Sequence, residues 1–353
     1  MPRARARALA RLTATAVTGL VLVALTGCGA SEEVPAASVA ETGQGTTTYP
    51  LTLSNCGHDE TIDQAPQRVV SLDQDSTEIL LSLGLQDRMV GTASWTDPVL
   101  DSLADANAQV PRLADNAPTY EVLLDADPDF VTASFGRHYG TGGVVTRDRL
   151  AETGIPSYLS PTDCDSDISI NGGGQRTTAL TVDALYQEIR EMAEVFDVKD
   201  RGEALVSSLQ QRAAAATDGM DMGGAKVMYW FADTKTPYMG GGFGATALLS
   251  RQLGLTDAFP EARDDFIATG WESVVDRDPD ILVLGDLQRD RFPGDRLQDK
   301  IDFLKSDPLT RDLTAVKEDR MVALHGAEMN PSIRFVDGLE KIRAWWDARG
   351  ARL

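Results

Sequence analysis

Aromatic and arginine side chains gather just past the ends of the stretches that read as strands. They are Trp95, the run Phe135-Gly136-Arg137-His138-Tyr139, then Tyr238, Arg289 and Arg334, with Phe266 shortly before Trp271. Phe, Tyr and Trp make up only 6% of the chain, so their concentration at these junctions is informative. Ring faces beside guanidinium groups suit a large, partly apolar, anionic small molecule: the rings stack on it and the cations pair with its charge. Any single one of these residues could equally be ordinary packing. For Trp230 and Phe231, inside an apolar strand, packing is the reading adopted.

Other chemistries lack their residues. The chain has no Gly-x-Ser-x-Gly elbow and no Gly-Lys-Ser/Thr phosphate loop. Its three histidines, His58, His138 and His325, form no His-x-x-His pair, and there is no Cys-x-x-Cys. A carrier of a bare transition metal gathers several such ligands, so neither catalytic nor metal-ligating residues are assigned. With 54 Asp and Glu in the chain, an acidic pair by itself carries no weight. The run Gly240-Gly241-Gly242-Phe243-Gly244 lacks dinucleotide spacing and reads as a helix start or a close backbone approach to a ligand.

The elements that must position these residues alternate strand and helix, which implies mainly parallel sheets. Strands are expected at 68–72, 89–93, 129–134 and 157–159, then at 227–231, 281–284 and 321–324. Helices are expected at 76–83, opened by a capping box at Asp75-Ser76-Thr77-Glu78, and at 144–153, 245–253 and 332–347. One stretch occurs twice. Tyr120-Glu121 to Asp127-Pro128-Asp129-Phe130 matches Trp271-Glu272 to Asp278-Pro279-Asp280-Ile281 at an offset of 151. Each copy reads as a short helix, a stop before Pro, and a buried strand. Leu83-Gly84-Leu85-Gln86-Asp87 is echoed by Leu253-Gly254-Leu255-Thr256-Asp257 at an offset of 170. Two echoes in the same order point to two related α/β lobes, not a short-period solenoid. Between them, residues 181–217 hold no Pro and repeat Leu185, Ile189, Met192 and Phe196 at helical spacing, with a weak point near Asp197–Gly202. The expected architecture is α/β: two Rossmann-like lobes with central, mainly parallel sheets joined by a long α-helix. The boundaries are 1–27 signal peptide, 28–48 tether, 49–180 first lobe, 181–219 helical connector and 220–353 second lobe.

The N-terminal segment pairs Arg3, Arg5, Arg7 and Arg11 with the apolar run 20–25, the pattern of an export signal. Leu25-Thr26-Gly27-Cys28 resembles a bacterial lipobox, which implies lipid on the Cys28 sulfur and an anchor on the outer face of the cell membrane. The alternative is a plain signal with an incidental cysteine. Residues 29–48 are too polar to fold alone. The net charge of −21 becomes −25 once residues 1–27, with four Arg and no acid, are removed. Such a surface disfavours nucleic acid and anionic lipid as partners. In an oxidising compartment Cys56 and Cys164 most simply pair; two buried free thiols are the alternative.

Several features together resemble the substrate-binding lipoproteins of ABC importers for ferric siderophores, haem and cobalamin. They are the lipobox, strand 68–72, Thr77-Glu78-Ile79-Leu80 with Leu83-Gly84, Val90-Gly91, two copies of Glu-x-Val/Leu-x-x-x-x-Pro-Asp, and the helical connector. The resemblance covers roughly residues 60–347. It implies a monomer that captures a ferric siderophore between its lobes, needs no cofactor of its own, and hands the chelate to an ABC permease dimer. Trp95, Phe135, Tyr238, Phe266 and Arg334 match positions lining that cleft. Arg137, Tyr139 and Arg289 are added here from their strand-end positions. Glu121 and Glu272 match the carboxylates that dock on permease arginines; the alternative is a first-turn Glu facing a helix dipole. Haem or cobalamin is the alternative cargo. An exported siderophore-processing enzyme and a surface adhesin are the alternatives from other classes.

Overall fold

The computed structural model describes residues 46–164 and 174–352. The expected signal peptide, Cys28, most of the tether, and residues 165–173 of the loop expected after strand 157–159 lie outside the described residues.

The first lobe is built on a five-stranded parallel sheet. Its order is Arg112–Ala114, Met89–Ala93, Val69–Ser71, Phe130–Ala133, Ser157–Leu159. The second lobe holds a six-stranded sheet. Lys226–Ala232, Ile281–Asp286 and Met321–His325 run parallel at its centre. Tyr238–Gly240 and Phe266–Ala268 add an antiparallel edge, and Thr256–Asp257 pairs with Lys226–Val227. The central strands are continuous apolar runs because helices cover both faces: Val69, Val131, Val227, Ile281 and Val283 are all fully buried.

The repeat is a structural device with the same parts in both lobes. Helix Tyr120–Asp125 precedes strand Phe130–Ala133, and helix Trp271–Arg277 precedes strand Ile281–Asp286. In each copy the Asp before Pro takes a left-handed conformation, φ +49° at Asp127 and +37° at Asp278, which ends the helix. The Asp after Pro then fastens the neighbouring strand. The Asp129 carboxylate accepts the N–H groups of Gln67 and Arg68, each at 2.8 Å, and Asp280 accepts that of Lys226 at 2.9 Å. Arg68 and Lys226 return the contact by donating to carbonyls at the helix ends, Ala126 and Asp127 in one copy and Arg277 in the other. The Leu-Gly-Leu echo is also one motif. Gly84 at φ +70° and Gly254 at φ +67° let the N–H of Leu85 reach Leu80 O and that of Leu255 reach Ser250 O.

Two expectations change. The first helix is Gln74–Ser82, capped by Asp73, whose side chain accepts the Ser76 N–H at 2.9 Å. Glu78 is therefore not part of a capping box. The connector is two helices, Val182–Val195 and Lys199–Thr217, broken at Asp197 with φ +57°. Arg190 pairs with Glu203 at 2.7 Å, so the second helix folds back along the first instead of extending it. Val182–Val195 belongs to the first lobe, where buried Glu188 accepts hydroxyls from Ser134 at 2.9 Å and Ser160 at 2.5 Å. Burial pushes the Glu188 carboxyl up to about 8. Lys199–Thr217 reaches the second lobe, where Arg212 pairs with Asp337 and with Glu340 at 2.7 Å. Of the two readings of the Gly-rich run, the helix start holds: it opens helix Ala245–Gln252, and the close approach is to protein. A Cβ at Gly241 would stand 2.0 Å from the Asp264 carbonyl oxygen.

Cys56 and Cys164 are joined by a disulfide across 108 residues. In the chain-entropy account a loop of that length contributes about 4–5 kcal/mol. No helix among the described residues is long and apolar enough to cross a membrane.

Candidate ligand-binding cleft

The carboxyl ends of both sheets open on a cleft of about 430 Å3 lined by Asn116, Arg137, Phe231, Ala232, Asp233, Tyr238, Arg289, Arg291 and Phe292. Arg289 also borders a neighbouring recess of about 340 Å3 with Trp95, Thr96, Asp97, Pro98, Arg112 and Gln288. The two recesses meet at Arg289.

The first lobe supplies one wall. Thr92, next to last in its strand, accepts the Trp95 indole N–H on its hydroxyl at 3.0 Å, and the Arg112 guanidinium lies 4.6 Å from the centre of that ring. Arg137 stands 5.1 Å above the Phe135 ring. Among the described residues Arg137 has no carboxylate ion-pair partner, and its one hydrogen bond, to Ser94 Oγ, is long at 3.4 Å. Burial pushes the guanidinium below its ordinary value, against the pull of Asp73 beneath it. A half-buried cation with no carboxylate in contact is stabilised by an arriving anion.

The second lobe supplies the other wall. Tyr238 is 38% exposed. It is the first residue of a short strand paired on both sides, not a loop residue as its sequence position suggests. Phe231 borders the cleft although it is almost fully buried; Phe266 packs behind it with ring centres 4.6 Å apart. Arg289 lies over both Phe231 and Phe292, at 5.6 and 5.4 Å.

Of the residues singled out from sequence, Trp95, Arg137, Tyr238 and Arg289 border this space. Phe135 supports Arg137 from below, and Phe266 buttresses Phe231. Two do not belong. Tyr139 is buried beneath the 3-10 turn Gly136–His138, its hydroxyl 3.1 Å from Val131 O and 3.0 Å from Tyr158 O, so it secures the sheet. Arg334 is buried in an ion pair with Glu78 of the first lobe and also donates to Pro98 O, so it ties the lobes together. It borders a groove of about 540 Å3 that shares Asp97, Pro98 and Gln288 with the Trp95 recess and whose other charges are largely paired, Lys341 to Glu328 and Asp337 and Glu340 to Arg212. That groove is the larger, but Arg137 and Arg291, which make no ion pair among the described residues, and the open rings lie in the cleft. Sequence reading missed Arg112, Asn116, Asp233, Arg291 and Phe292, and assigned Phe231 to packing alone. The run Arg289-Asp290-Arg291-Phe292 directly after a strand was the available signal.

Among the described residues no group of three or more His, Cys, Asp or Glu side chains is placed to hold a metal ion. His138 is buried 3.7 Å from Asp73, and burial, then Arg137, pushes its imidazole well below the usual range.

Glu121 and Glu272 sit at the second position of their matched helices, exposed and outside the cleft. Each helix precedes a parallel strand, so its N-terminus stands on the same side of the sheet as the cleft. Glu121 is held below the usual carboxylate range by its own backbone N–H and by Thr119.

Residues 69–327 match the periplasmic binding protein family. The ABC transporter substrate-binding lipoprotein YvrC of Bacillus subtilis, itself uncharacterised, is 24% identical over 185 residues, covering 50% of this chain and 55% of that relative, about half of each. A cobalamin-binding protein of Halobacterium salinarum is 21% identical over 344 residues, covering 94% of this chain and 83% of that one. The structure of an ABC-type Fe3+-hydroxamate transport system protein from Saccharomonospora viridis superposes with a TM-score of 0.68 at 26% identity, covering 84% of this chain and 99% of that chain. The two sheets, the cleft between them and this match together establish that the chain belongs to the periplasmic binding protein family.

Proposed function

We propose that the protein is an extracytoplasmic carrier that captures a ferric siderophore in the interlobe cleft and delivers it to an ABC permease. The supporting observation is Arg137, a half-buried guanidinium without a carboxylate partner, set on the Phe135 ring and facing a wall of Phe231, Tyr238 and Phe292. That combination suits an anionic, aromatic-edged chelate whose metal is already wrapped, because the cleft offers charge and ring faces in place of metal ligands. Tryptophan-fluorescence titration of the full chain, solubilised in detergent, against a panel of iron-loaded and iron-free siderophores tests it. Arg137→Ala is expected to weaken the tightest ligand ten- to hundredfold, the usual effect of losing one charge-assisted contact, about 1.5–3 kcal/mol. Unchanged affinity removes Arg137 from the site, and binding of bare ferric ion defeats the wrapped-metal reading.

Tyr238 favours a second reading. Its phenol is exposed to the cleft, and a tyrosinate can ligate ferric haem. A haem absorbance band in the loaded protein that is lost in Tyr238→Phe would select haem as cargo.

The anchor is read from Cys28. In Cys28→Ala the chain should leave the detergent phase, and the mass of the wild-type N-terminus should carry lipid. An unmodified Cys28 in mature protein removes the anchor.

A further inference from the structure

The loop from Leu287 to Arg296 joins strand Ile281–Asp286 to helix Leu297–Ser306 and carries Arg289, Arg291 and Phe292 to the cleft. Two buried charges fix it, and neither lines the cleft. Asp295, fully buried, accepts on Oδ2 the backbone N–H groups of Arg291 at 2.7 Å and Phe292 at 3.0 Å. The same carboxylate takes Arg289 Nε at 3.2 Å and Nη2 at 3.3 Å. Lys300, also fully buried, donates from Nζ to the carbonyls of Gly285 at 2.6 Å, Asp295 at 3.2 Å and Gly294. One carboxylate with four donors and one ammonium with three acceptors leave the base of this loop little freedom.

The two cleft arginines at 137 and 289 therefore differ. Arg289 has its counter-ion built in, so its guanidinium is a flat surface held between the Phe231 and Phe292 rings. Arg137 has no carboxylate in ion-pairing contact among the described residues, and Asp73, Asp75 and Asp163 act on it only from farther off. We infer that Asp295 sets the charge selectivity of the cleft: it holds the 287–296 loop in place and withholds Arg289 from the anionic groups of a ligand. This rests on the cleft being the ligand site. The discrimination is physical. An anionic edge is met by Arg137 and Arg291, which make no ion pair among the described residues, whereas an anionic group placed at Arg289 must compete with Asp295 for it.

The two roles of Asp295 separate by substitution. Asp295→Asn keeps a carbonyl oxygen for the two loop N–H groups but removes the charge from Arg289. Asp295→Ala removes both. Hydrogen exchange on the full chain should show the Arg291 and Phe292 amides protected in wild type and in Asp295→Asn, and at least tenfold faster in Asp295→Ala. Trp95 shares the recess with Arg289, and its emission is isolated by subtracting that of Trp95→Phe. Quenching of Trp95 by iodide, relative to neutral acrylamide, should rise about twofold or more in Asp295→Asn, as an uncompensated guanidinium draws the anion. With chelate probes, affinity for ferric citrate should rise about tenfold in Asp295→Asn while that for neutral cyanocobalamin stays put. An unchanged iodide-to-acrylamide ratio, or equal amide protection in all three proteins, overturns the inference. If no chelate binds the wild type, the chelate reading fails, and the exchange and quenching results still decide the role of Asp295.

Discussion

Cells carrying Glu121→Ala together with Glu272→Ala are expected to lose cargo import, to the level of cells without the protein, while the purified variant binds its ligand within about twofold of wild type. Both carboxylates occupy the second position of a short helix that ends in the same left-handed Asp before Pro. Both are exposed, and neither borders the cleft. Nothing inside one chain requires the two lobes to present the same anion at the same place. A permease built from two equivalent subunits does require it, because each subunit offers the same cationic surface. Each single substitution should remove part of the uptake. Reversal to Arg should be worse than Ala, since it sets like charge against like. Radiolabelled uptake in cells, paired with solution titration of the same variants, separates docking from binding. Normal uptake by the double variant would return both residues to the role of helix-start carboxylates.

The largest effect on stability is expected from Arg334→Ala. It leaves Glu78 buried, without its partner, at the contact between the lobes. Breaking a buried pair from one side costs about 3–5 kcal/mol. For a chain of this size that lowers the melting temperature by on the order of 10 °C. The pH dependence gives the mechanism. Burial already raises the Glu78 carboxyl, and Arg334 opposes that rise. Without Arg334 the folded-state value climbs further above the unfolded one. Stability of the variant is then greatest in acid, below the unfolded value, and falls as pH rises through the folded value. The deficit relative to wild type should therefore be small in acid and grow as pH rises toward the folded-state value of the variant. Glu78→Met combined with Arg334→Met should recover most of the loss, because two apolar side chains leave no stranded charge. A ligand-free Arg334→Ala protein that melts within a degree or two of wild type would show that the pair does not brace the lobes.

What the sequence discloses and what it hides divides along physical lines. The Asp-Pro-Asp stops and Leu-Gly-Leu ends are local: backbone geometry at Asp127, Asp278, Gly84 and Gly254 forces them, so both repeats could be read directly. The central strands were legible for the same reason, as unbroken apolar runs. The short antiparallel strands Tyr238–Gly240 and Phe266–Ala268 were not, because three residues carry no period and their pairing is made at a distance. The cleft was legible where a cation or ring follows a strand end, as at Trp95, Arg137 and Arg289. It failed where a partner decides the role. Arg334 looks like a ligand contact until Glu78, 256 residues away, is brought against it. Tyr139 looks like another until the turn before it folds the ring into the core. Asp295 gave no signal at all among so many acids, because its importance lies in four donors that only the folded loop delivers.

The Cys56–Cys164 bond has a consequence beyond its effect on folding. Every strand of the first sheet, from Val69 to Leu159, lies between those two cysteines. The sheet is therefore enclosed in a covalent ring. A protease that cuts once anywhere from residue 57 to 163 opens the ring but releases no fragment, and the packed strands stay beside one another. A pull on the N-terminus cannot pay out the enclosed residues either, which withholds roughly 350 Å of extended chain at about 3.3 Å per residue. On the outer side of a cell, where proteases and shear are both present, the lobe survives a first cut that would dismember an open chain.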